Sequence, residues 1–176
     1  MNKEPLKLGL ILGAISLVIA LLLSVVNMAT KDIIIKRQEE EVQNALAKVI
    51  TDADTFNKID HSLEVYEAKK GENTVGYCVK TLPSGYGGEI TMIVGVGTDG
   101  IVKGVSITSM NETPGLGALA QKDNFLNQFT GKGGNLAVSK DGGKIEALSG
   151  ATVTSRAVTS GVNEAVAAVK ELTGGN

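Results

Sequence analysis

The chain has 176 residues, enough for one membrane anchor and one globular domain with a buried core. Its 17 basic residues are balanced by 19 acidic ones, and the net charge of −2 argues against a surface that binds nucleic acid. The single cysteine, Cys78, excludes an intrachain disulfide. The single histidine, His61, has no neighbouring Cys or His, so the sequence predicts neither a metal site nor Cys-His catalysis.

The first element is an apolar stretch from Leu8 to Ala29, 22 residues without a charge. A helix that crosses the hydrocarbon core of a bilayer needs about 20 apolar residues. A cleaved signal peptide has a shorter apolar region of about 7 to 15 residues and ends at a small-residue cleavage site, and no convincing site follows here. We therefore expect residues 1–30 to be a membrane anchor, with one transmembrane helix over about 8–29.

Charges beside this stretch do not decide its orientation. Lys3 and Lys7 precede it, whereas Lys31, Lys36 and Arg37 follow it. Positive charge is enriched on the cytoplasmic side of membrane helices, so the slight excess after the stretch would by itself place the rest of the chain in the cytoplasm.

Residues 31–52 continue with a helical pattern. Four apolar residues, beginning with Val42 and ending with Ile50, fall on one face, and the acidic run Glu39–Glu41 falls on the other. This pattern predicts a stalk helix that leads from the anchor into a domain over residues 53–176.

After Asp52 the pattern changes to short strands separated by residues that favour turns. The predicted strands are Leu63–Ala68, Thr74–Leu82, Glu89–Val96 and Ile101–Thr108. Cys78 lies in an alternating run, and we expect it to be buried in its strand. Strands joined by short glycine turns and followed by helices predict an α+β fold, in which a twisted, mainly antiparallel sheet packs against helices.

Three glycines, Gly95, Gly97 and Gly100, match the G-x-G-x-x-G pattern of dinucleotide-binding folds. That pattern must follow a strand and open a helix, but here the residues that follow read as another strand. Asp99 and Gly100 instead favour a hairpin turn. We therefore reject nucleotide binding at these glycines.

The segment Asn111–Gly117, NETPGLG, follows the second strand of that hairpin. Pro114 fixes its φ angle, and Gly115 and Gly117 permit positive φ and close approach of a ligand to the backbone. The residues alone leave two roles open, a tight connection or a ligand-binding loop. A helix is predicted next, over Ala118–Phe129, with an apolar face formed by Leu119, Phe125, Leu126 and Phe129.

The segment Leu148–Arg156, LSGATVTSR, precedes the last helical pattern, predicted over residues 155–172. Hydroxyl groups that can cap free backbone N–H groups crowd this helix start, at Ser149, Thr152, Thr154 and Ser155. A helix start with Gly150 just ahead of it also suits a phosphate, because free N–H groups and the positive end of the helix dipole face it. A helix cap and a phosphate site both remain open at this point.

Three motifs occur in a fixed order after the anchor: GYGGEI at 85–90, ETPGLG at 112–117 and SGATVTS at 149–155. Together they resemble the FMN-binding domain of membrane redox complexes, and most closely the RnfG family, which supplies one subunit of the Rnf ion-translocating electron transport complex. In that family the second hydroxyl of S/T-G-A-T forms a phosphoester with FMN, and the matching residue here is Thr152. The resemblance implies that a flavin transferase makes this bond from FAD, and that Ser149, Gly150 and Ala151 form the approach to the phosphate.

The same resemblance implies that the segment from Glu112 to Leu116 lines the isoalloxazine ring, with Glu112, Thr113, Gly115 and Leu116 as cofactor-binding residues. It implies an electron relay between other subunits of a membrane complex, with the domain on the extracytoplasmic side of the cell membrane. A covalent tether suits that side, because a dissociated flavin would be lost there by dilution. No nucleophile, base and orienting residue form a set, so we predict no catalytic residues in this chain.

One position departs from the family. Six residues before the modified threonine the family commonly has Asp, and this chain has Glu146, which keeps the charge but adds a methylene. We expect this difference to weaken recognition by the transferase.

Two alternatives remain. The C subunit of the sodium-pumping NADH:quinone reductase has a similar domain and the same type of linkage, although its domain is generally larger. A non-redox anchored binding or assembly protein would use the hydroxyl-rich segment only as a helix cap.

Overall fold

The structure is a computed structural model that describes residues 4–174. By its internal contacts the chain divides into two compact units, Met1–Glu40 and Glu41–Asn176. The first element, α1, is a helix over Glu4–Val49, and its residues up to Glu40 belong to the first unit.

The first unit exposes apolar side chains along its length. Between Leu8 and Met28 its large apolar residues are 50% to 75% exposed. So large an apolar surface is unfavourable in water and is typical of a helix surrounded by hydrocarbon. Within residues 4–174, α1 alone is long and apolar enough to cross a membrane, which suggests a single span.

The second unit is built on a five-stranded antiparallel sheet with the simple order β1-β2-β3-β4-β5. Its strands are β1 Thr55–Ile59, β2 Glu64–Lys70, β3 Asn73–Thr81, β4 Thr91–Gly97 and β5 Val102–Ser109. The four predicted strands are confirmed to within a few residues. The edge strand β1 was not predicted, because it has only two apolar residues and its pattern is too weak to stand out from a loop. The α+β fold class is confirmed.

One face of the sheet is covered by the last helix, α3, over Thr152–Thr173. The predicted apolar face is buried here, and it includes Val158, Val162 and Val169, none of which is exposed. Gly161 lets the helix approach the sheet closely, because a Cβ at this position would lie 2.8 Å from Pro83 and 2.9 Å from the sulfur of Met92. The middle of α3 thereby lies close to the carboxyl end of β3.

The helix predicted over Ala118–Phe129 is wrong as one continuous element. The chain instead forms a 3₁₀ turn over Gly117–Gln121 and a short helix, α2, over Asp123–Leu126. Lys122 between them is extended, with φ −78° and ψ 143°. Asp and Asn, which follow at 123 and 124, compete for backbone hydrogen bonds and disfavour a helix interior. Of the predicted apolar face, Phe125, Leu126 and Phe129 are buried, whereas Leu119 is 40% exposed.

The opposite face of the sheet receives the last turns of α1. Ala45, Leu46, Val49 and Ile50 are buried there in a cluster with Ala68, Cys78 and Ile93. Cys78 is buried in β3, as predicted, and burial raises the pKa of its thiol to about 12.

Two glycines explain this packing, and one of them, Gly95, belongs to the rejected dinucleotide pattern. Gly95 in β4 pairs with Gly104 in β5, and the two lie beneath the backbone of Val49. A Cβ at Gly95 would lie 2.7 Å from the Val49 carbonyl oxygen, and one at Gly104 would lie 2.9 Å from the same atom. Gly100 forms the β4–β5 turn with φ 75°, as the hairpin interpretation predicts. These glycines serve close packing and a turn.

Replacing Gly95 or Gly104 with Ala should lower the free energy of unfolding by about 1–3 kcal/mol, because the added methyl group would overlap the Val49 backbone. Urea unfolding of the full chain in detergent, followed by far-UV circular dichroism, measures the change. Ser109→Ala, at the exposed end of β5, is the control and should change stability by less than about 0.5 kcal/mol. Wild-type stability in both glycine variants would contradict the close contact with Val49.

Candidate functional site

A cleft of about 510 Å³ lies where the three sequence motifs meet. One wall is the loop after β3, a second is the loop after β5, and the floor is the amino-terminal turn of α3. The lining residues are Tyr86, Glu112, Thr113, Leu116, Gly117, Lys140, Gly150, Ala151, Thr152, Val153 and Thr154.

The carboxylate of Glu112 joins these three segments. Its Oε1 accepts hydrogen bonds from the backbone N–H groups of Tyr86, at 2.8 Å, and Gly87, at 3.0 Å. Its Oε2 accepts a hydrogen bond from the hydroxyl of Thr154 at 2.8 Å. Glu112 is only 8% exposed, and a buried carboxylate is costly unless its oxygens are hydrogen-bonded. The three donors satisfy it and fix both loops against α3.

Glycines leave the space that this carboxylate occupies. A Cβ at Gly117 would lie 2.5 Å from Glu112 Oε2 and 2.8 Å from Thr154 Oγ1. A Cβ at Gly85 would overlap Glu112 Oε1, and one at Gly87 would overlap the carbonyl oxygen of Asn111. Gly85 and Gly117 are therefore required by the Glu112 carboxylate, and Gly87 is required by the backbone beside it.

The loop after β5 contains a tight turn with the residues that the turn demands. The Leu116 N–H donates to the Thr113 carbonyl at 3.1 Å, Pro114 is the second residue of the turn, and Gly115 is the third with φ 76°. Pro followed by a positive-φ Gly is the signature of a type II turn. The turn brings Leu116 to the cleft, where its side chain is 44% exposed.

The start of α3 is not capped by a hydroxyl group, so of the two roles that the sequence left open for this segment the helix cap is not observed. The N-cap residue is Ala151, and it makes no side-chain hydrogen bond to the helix. Thr154 donates to Glu112 instead, and Ser155 accepts from the Leu148 N–H and donates to the Ala151 carbonyl, each at 2.9 Å. The first N–H groups of a helix have no partner within it, so these groups stay available to an anion.

Thr152, the first residue of α3, lies beside a lysine. The Nζ of Lys140 donates to Thr152 Oγ1 at 3.0 Å. Lys140 lies in a 3₁₀ turn over Ser139–Asp141, and the next residue, Asp141, is bound by two nitrogens of Arg156 at 2.6 Å and 2.7 Å. Hydrogen bonding to Arg156 lowers the pKa of Asp141 and raises that of Arg156, so the pair stays ionised across the neutral range.

The cleft has two chemically different ends. At one end are the amino terminus of α3, Thr152 and the Lys140 amine, all of which suit an anion. Elsewhere the lining carries apolar surface from Tyr86, Leu116 and Val153, which are 76%, 44% and 49% exposed. A ligand with an anionic group and a flat apolar part matches this division.

Comparison with known proteins identifies the family. The profile of the FMN-binding domain family matches residues 85–167, and that of the RnfG N-terminal region matches residues 1–49. The G subunit of the proton-translocating ferredoxin:NAD(+) oxidoreductase complex of Clostridium ljungdahlii is 42% identical over 159 residues, covering 88% of this chain and 86% of that protein. The chain belongs to the RnfG family.

A second RnfG protein matches over nearly the whole length. The G subunit of the Na(+)-translocating ferredoxin:NAD(+) oxidoreductase complex of Acetobacterium woodii is 38% identical, and the match covers 97% of this chain and 94% of that protein. Among solved structures, the C subunit of the Na(+)-translocating NADH-quinone reductase from Parabacteroides distasonis superposes with a TM-score of 0.53 at 25% identity. That match covers 63% of this chain and 62% of the other. The chain is thus a subunit of an ion-translocating oxidoreductase complex, and it contains an FMN-binding domain.

The residues of the cleft fit FMN, which has an anionic phosphate and a flat ring system. The volume lies within the range of about 300–1,000 Å³ that is usual for small-molecule sites. The uncapped helix start and Lys140 suit the phosphate, and the apolar side chains suit the ring.

The structure brings most of the predicted site residues together. Thr152, Gly150, Ala151, Glu112, Thr113 and Leu116 line the cleft, whereas Ser149 and Gly115 lie beside lining residues without lining it themselves. Five further lining residues were not predicted as part of the site: Tyr86, Gly117, Lys140, Val153 and Thr154. All of these except Lys140 lie within the three motifs, so the motifs themselves were the signal for them. Lys140 carried no signal, because a lysine in a glycine-rich segment is usually only a solvated charge.

Glu112→Ala should lower the free energy of unfolding by about 2–4 kcal/mol, because it leaves the Thr154 hydroxyl and two backbone N–H groups without their acceptor. Glu112→Gln should cost less, since its carbonyl can accept from Tyr86 and its amide can donate to Thr154. Urea unfolding of the full chain measures both. Thr113→Ala, an exposed change in the same loop, is the control and should stay within about 0.5 kcal/mol. An Ala variant as stable as this control would contradict the structural role assigned to Glu112.

Proposed function

We propose that this chain is a membrane-anchored flavoprotein subunit of an Rnf-type complex and relays electrons through an FMN attached by a phosphoester to Thr152. The observation that carries the proposal is the position of the Thr152 hydroxyl. It lies in the cleft, at an uncapped helix start and 3.0 Å from the Lys140 amine. A phosphate bonded there would face positive charge, and the attached ring would lie along the apolar part of the cleft.

When bound, FMN supplies the electron chemistry, and the protein supplies position and electrostatics. The Glu112 contacts hold the two loops that wall the cleft. Leu116 and Val153 offer apolar surface to a ring and exclude water from that side. Thr113 and the turn at Gly115 place Leu116. Ser149 and Gly150, just ahead of α3, form the approach to the phosphate.

Attachment would be a phosphoryl transfer to Thr152. One bond forms, between Thr152 Oγ1 and the phosphorus of the FMN half of FAD, and the pyrophosphate P–O bond breaks, so that AMP leaves. A base on a flavin transferase takes the hydroxyl proton. Glu146 lies on the surface ahead of the site, and the side chain of Gln128 holds its backbone through hydrogen bonds of 2.7 Å and 3.3 Å. We propose its carboxylate as a contact for that transferase.

The anchor and the complex complete the proposal. Residues 1–30 would anchor the chain in the lipid bilayer through a span at about 8–29, residues 31–52 would form the stalk, and residues 53–176 the flavin domain. Its partners would be the other subunits of the complex, and the named activity of the relatives suggests ferredoxin and NAD as the ends of the electron pathway. The match to the RnfG N-terminal region favours this complex over the NADH:quinone reductase.

We propose that the domain lies on the extracytoplasmic side of the cell membrane, where a covalent link prevents loss of the flavin. Protease added to sealed right-side-out vesicles should therefore digest the domain, and inverted vesicles should protect it. An antibody to a tag at the carboxyl terminus follows the domain, and a cytoplasmic enzyme inside the vesicles reports whether they are sealed. Protection of the domain in right-side-out vesicles would contradict the proposed orientation.

Coexpression with a flavin transferase should give a yellow protein whose intact mass rises by FMN less one water. Thr152→Val should remove the gain, because it lacks the hydroxyl, and Thr152→Ser should retain part of it. Ser160→Ala, which changes an exposed hydroxyl on α3 outside the cleft, is the control and should load like the wild type. A colourless wild-type protein of unchanged mass would favour a non-redox binding or assembly role.

A further inference from the structure

Lys140 places a cation beside the start of a helix. Its amine lies against Thr152, the first residue of α3, where the helix dipole is positive and a cation is normally disfavoured. The first turn of α3 contains no acidic residue, and within residues 4–174 no carboxylate lies at ion-pair distance from Lys140. An anion that binds between the amine and the helix start would be attracted by both.

The backbone that carries Lys140 is fixed on both sides. Ser139 donates its N–H to the Ile145 carbonyl at 2.7 Å, and Asp141 is held by the two hydrogen bonds from Arg156. Arg156 lies four residues after Thr152 on α3, so the ion pair ties the lysine turn to the helix that carries the attachment residue. The backbone position of Lys140 therefore follows from tertiary contacts of its own turn.

We propose that Lys140 is a positioning residue for the phosphate on Thr152, a proposal that rests on the function proposed above. Before attachment, its amine donates to Oγ1 and keeps the hydroxyl directed into the cleft. After attachment, it donates to a phosphate oxygen, and the phosphate is held between this cation and the free N–H groups at the start of α3. A hydrogen bond in which both partners are charged is stronger than the bond to a neutral hydroxyl that it replaces.

The first experiment measures attachment. Purified full-length chain in detergent is incubated with FAD and a flavin transferase, and intact mass follows the loaded fraction with time. Lys140→Met should lower the initial rate about tenfold, because it removes the cation and keeps a side chain of similar length. Lys144→Met, at an exposed lysine of the same segment that does not line the cleft, is the matched control and should load at the wild-type rate.

The second experiment separates the phosphate contact from recognition by the transferase. The thermal midpoint of each variant is measured by circular dichroism before and after complete loading, at low and at high salt. In the wild type and in Lys144→Met, loading should raise the midpoint, and salt should reduce that gain by screening the ion pair. In Lys140→Met the gain should be smaller and nearly independent of salt.

Two results would overturn the proposal: loading of Lys140→Met at the wild-type rate, or a slower rate with the full salt-sensitive gain in midpoint. The second would mean that Lys140 serves only the transferase. If the wild-type chain takes up no flavin at all, the failure lies in the proposed function and not in the role of Lys140.

Discussion

The cleft depends on one buried carboxylate. Glu112 accepts from Tyr86, Gly87 and Thr154, and so joins the loop after β3, the loop after β5 and the first turn of α3. A buried carboxylate is tolerated here because three donors form hydrogen bonds to its two oxygens. The glycines at 85, 87 and 117 follow from the same constraint, since a side chain at any of them would collide with the carboxylate or with the loop beside it. Three glycines of the motifs are thus needed to leave room for Glu112 and the backbone beside it.

The two faces of the sheet pack against different helices. On one face α3 packs through its valines and presents Thr152 to the cleft, and on the other face the last turns of α1 pack against Gly95 and Gly104. The glycine pair permits backbone contact with Val49, which larger residues would prevent. Helix α3 and the last turns of α1 therefore rest on opposite faces of the same strands.

The charge distribution in the cleft explains how the domain could take FMN. The start of α3 is uncapped and the nearby cation is Lys140, while the apolar surface comes from residues on the walls. Phosphate and ring would therefore be held by different physical forces, the first electrostatic and the second hydrophobic. Membership of the RnfG family agrees with this arrangement, because the family profile of the FMN-binding domain spans all three motifs.

Local patterns were enough to predict the apolar helix, four of the five strands, the helix that carries Thr152, and the motifs that mark the family. Each of these features follows from the spacing of residues that are near one another in the chain. The folded structure was needed to show that the Glu112 carboxylate bonds to residues 26 and 42 positions away, and that Lys140 contacts Thr152 across 12 residues. It also divided the helix predicted over Ala118–Phe129 into two short elements, and it made Ala151 the N-cap of α3. Contacts between distant segments depend on how the sheet, the helices and the glycine spaces pack together, and no local pattern encodes that packing.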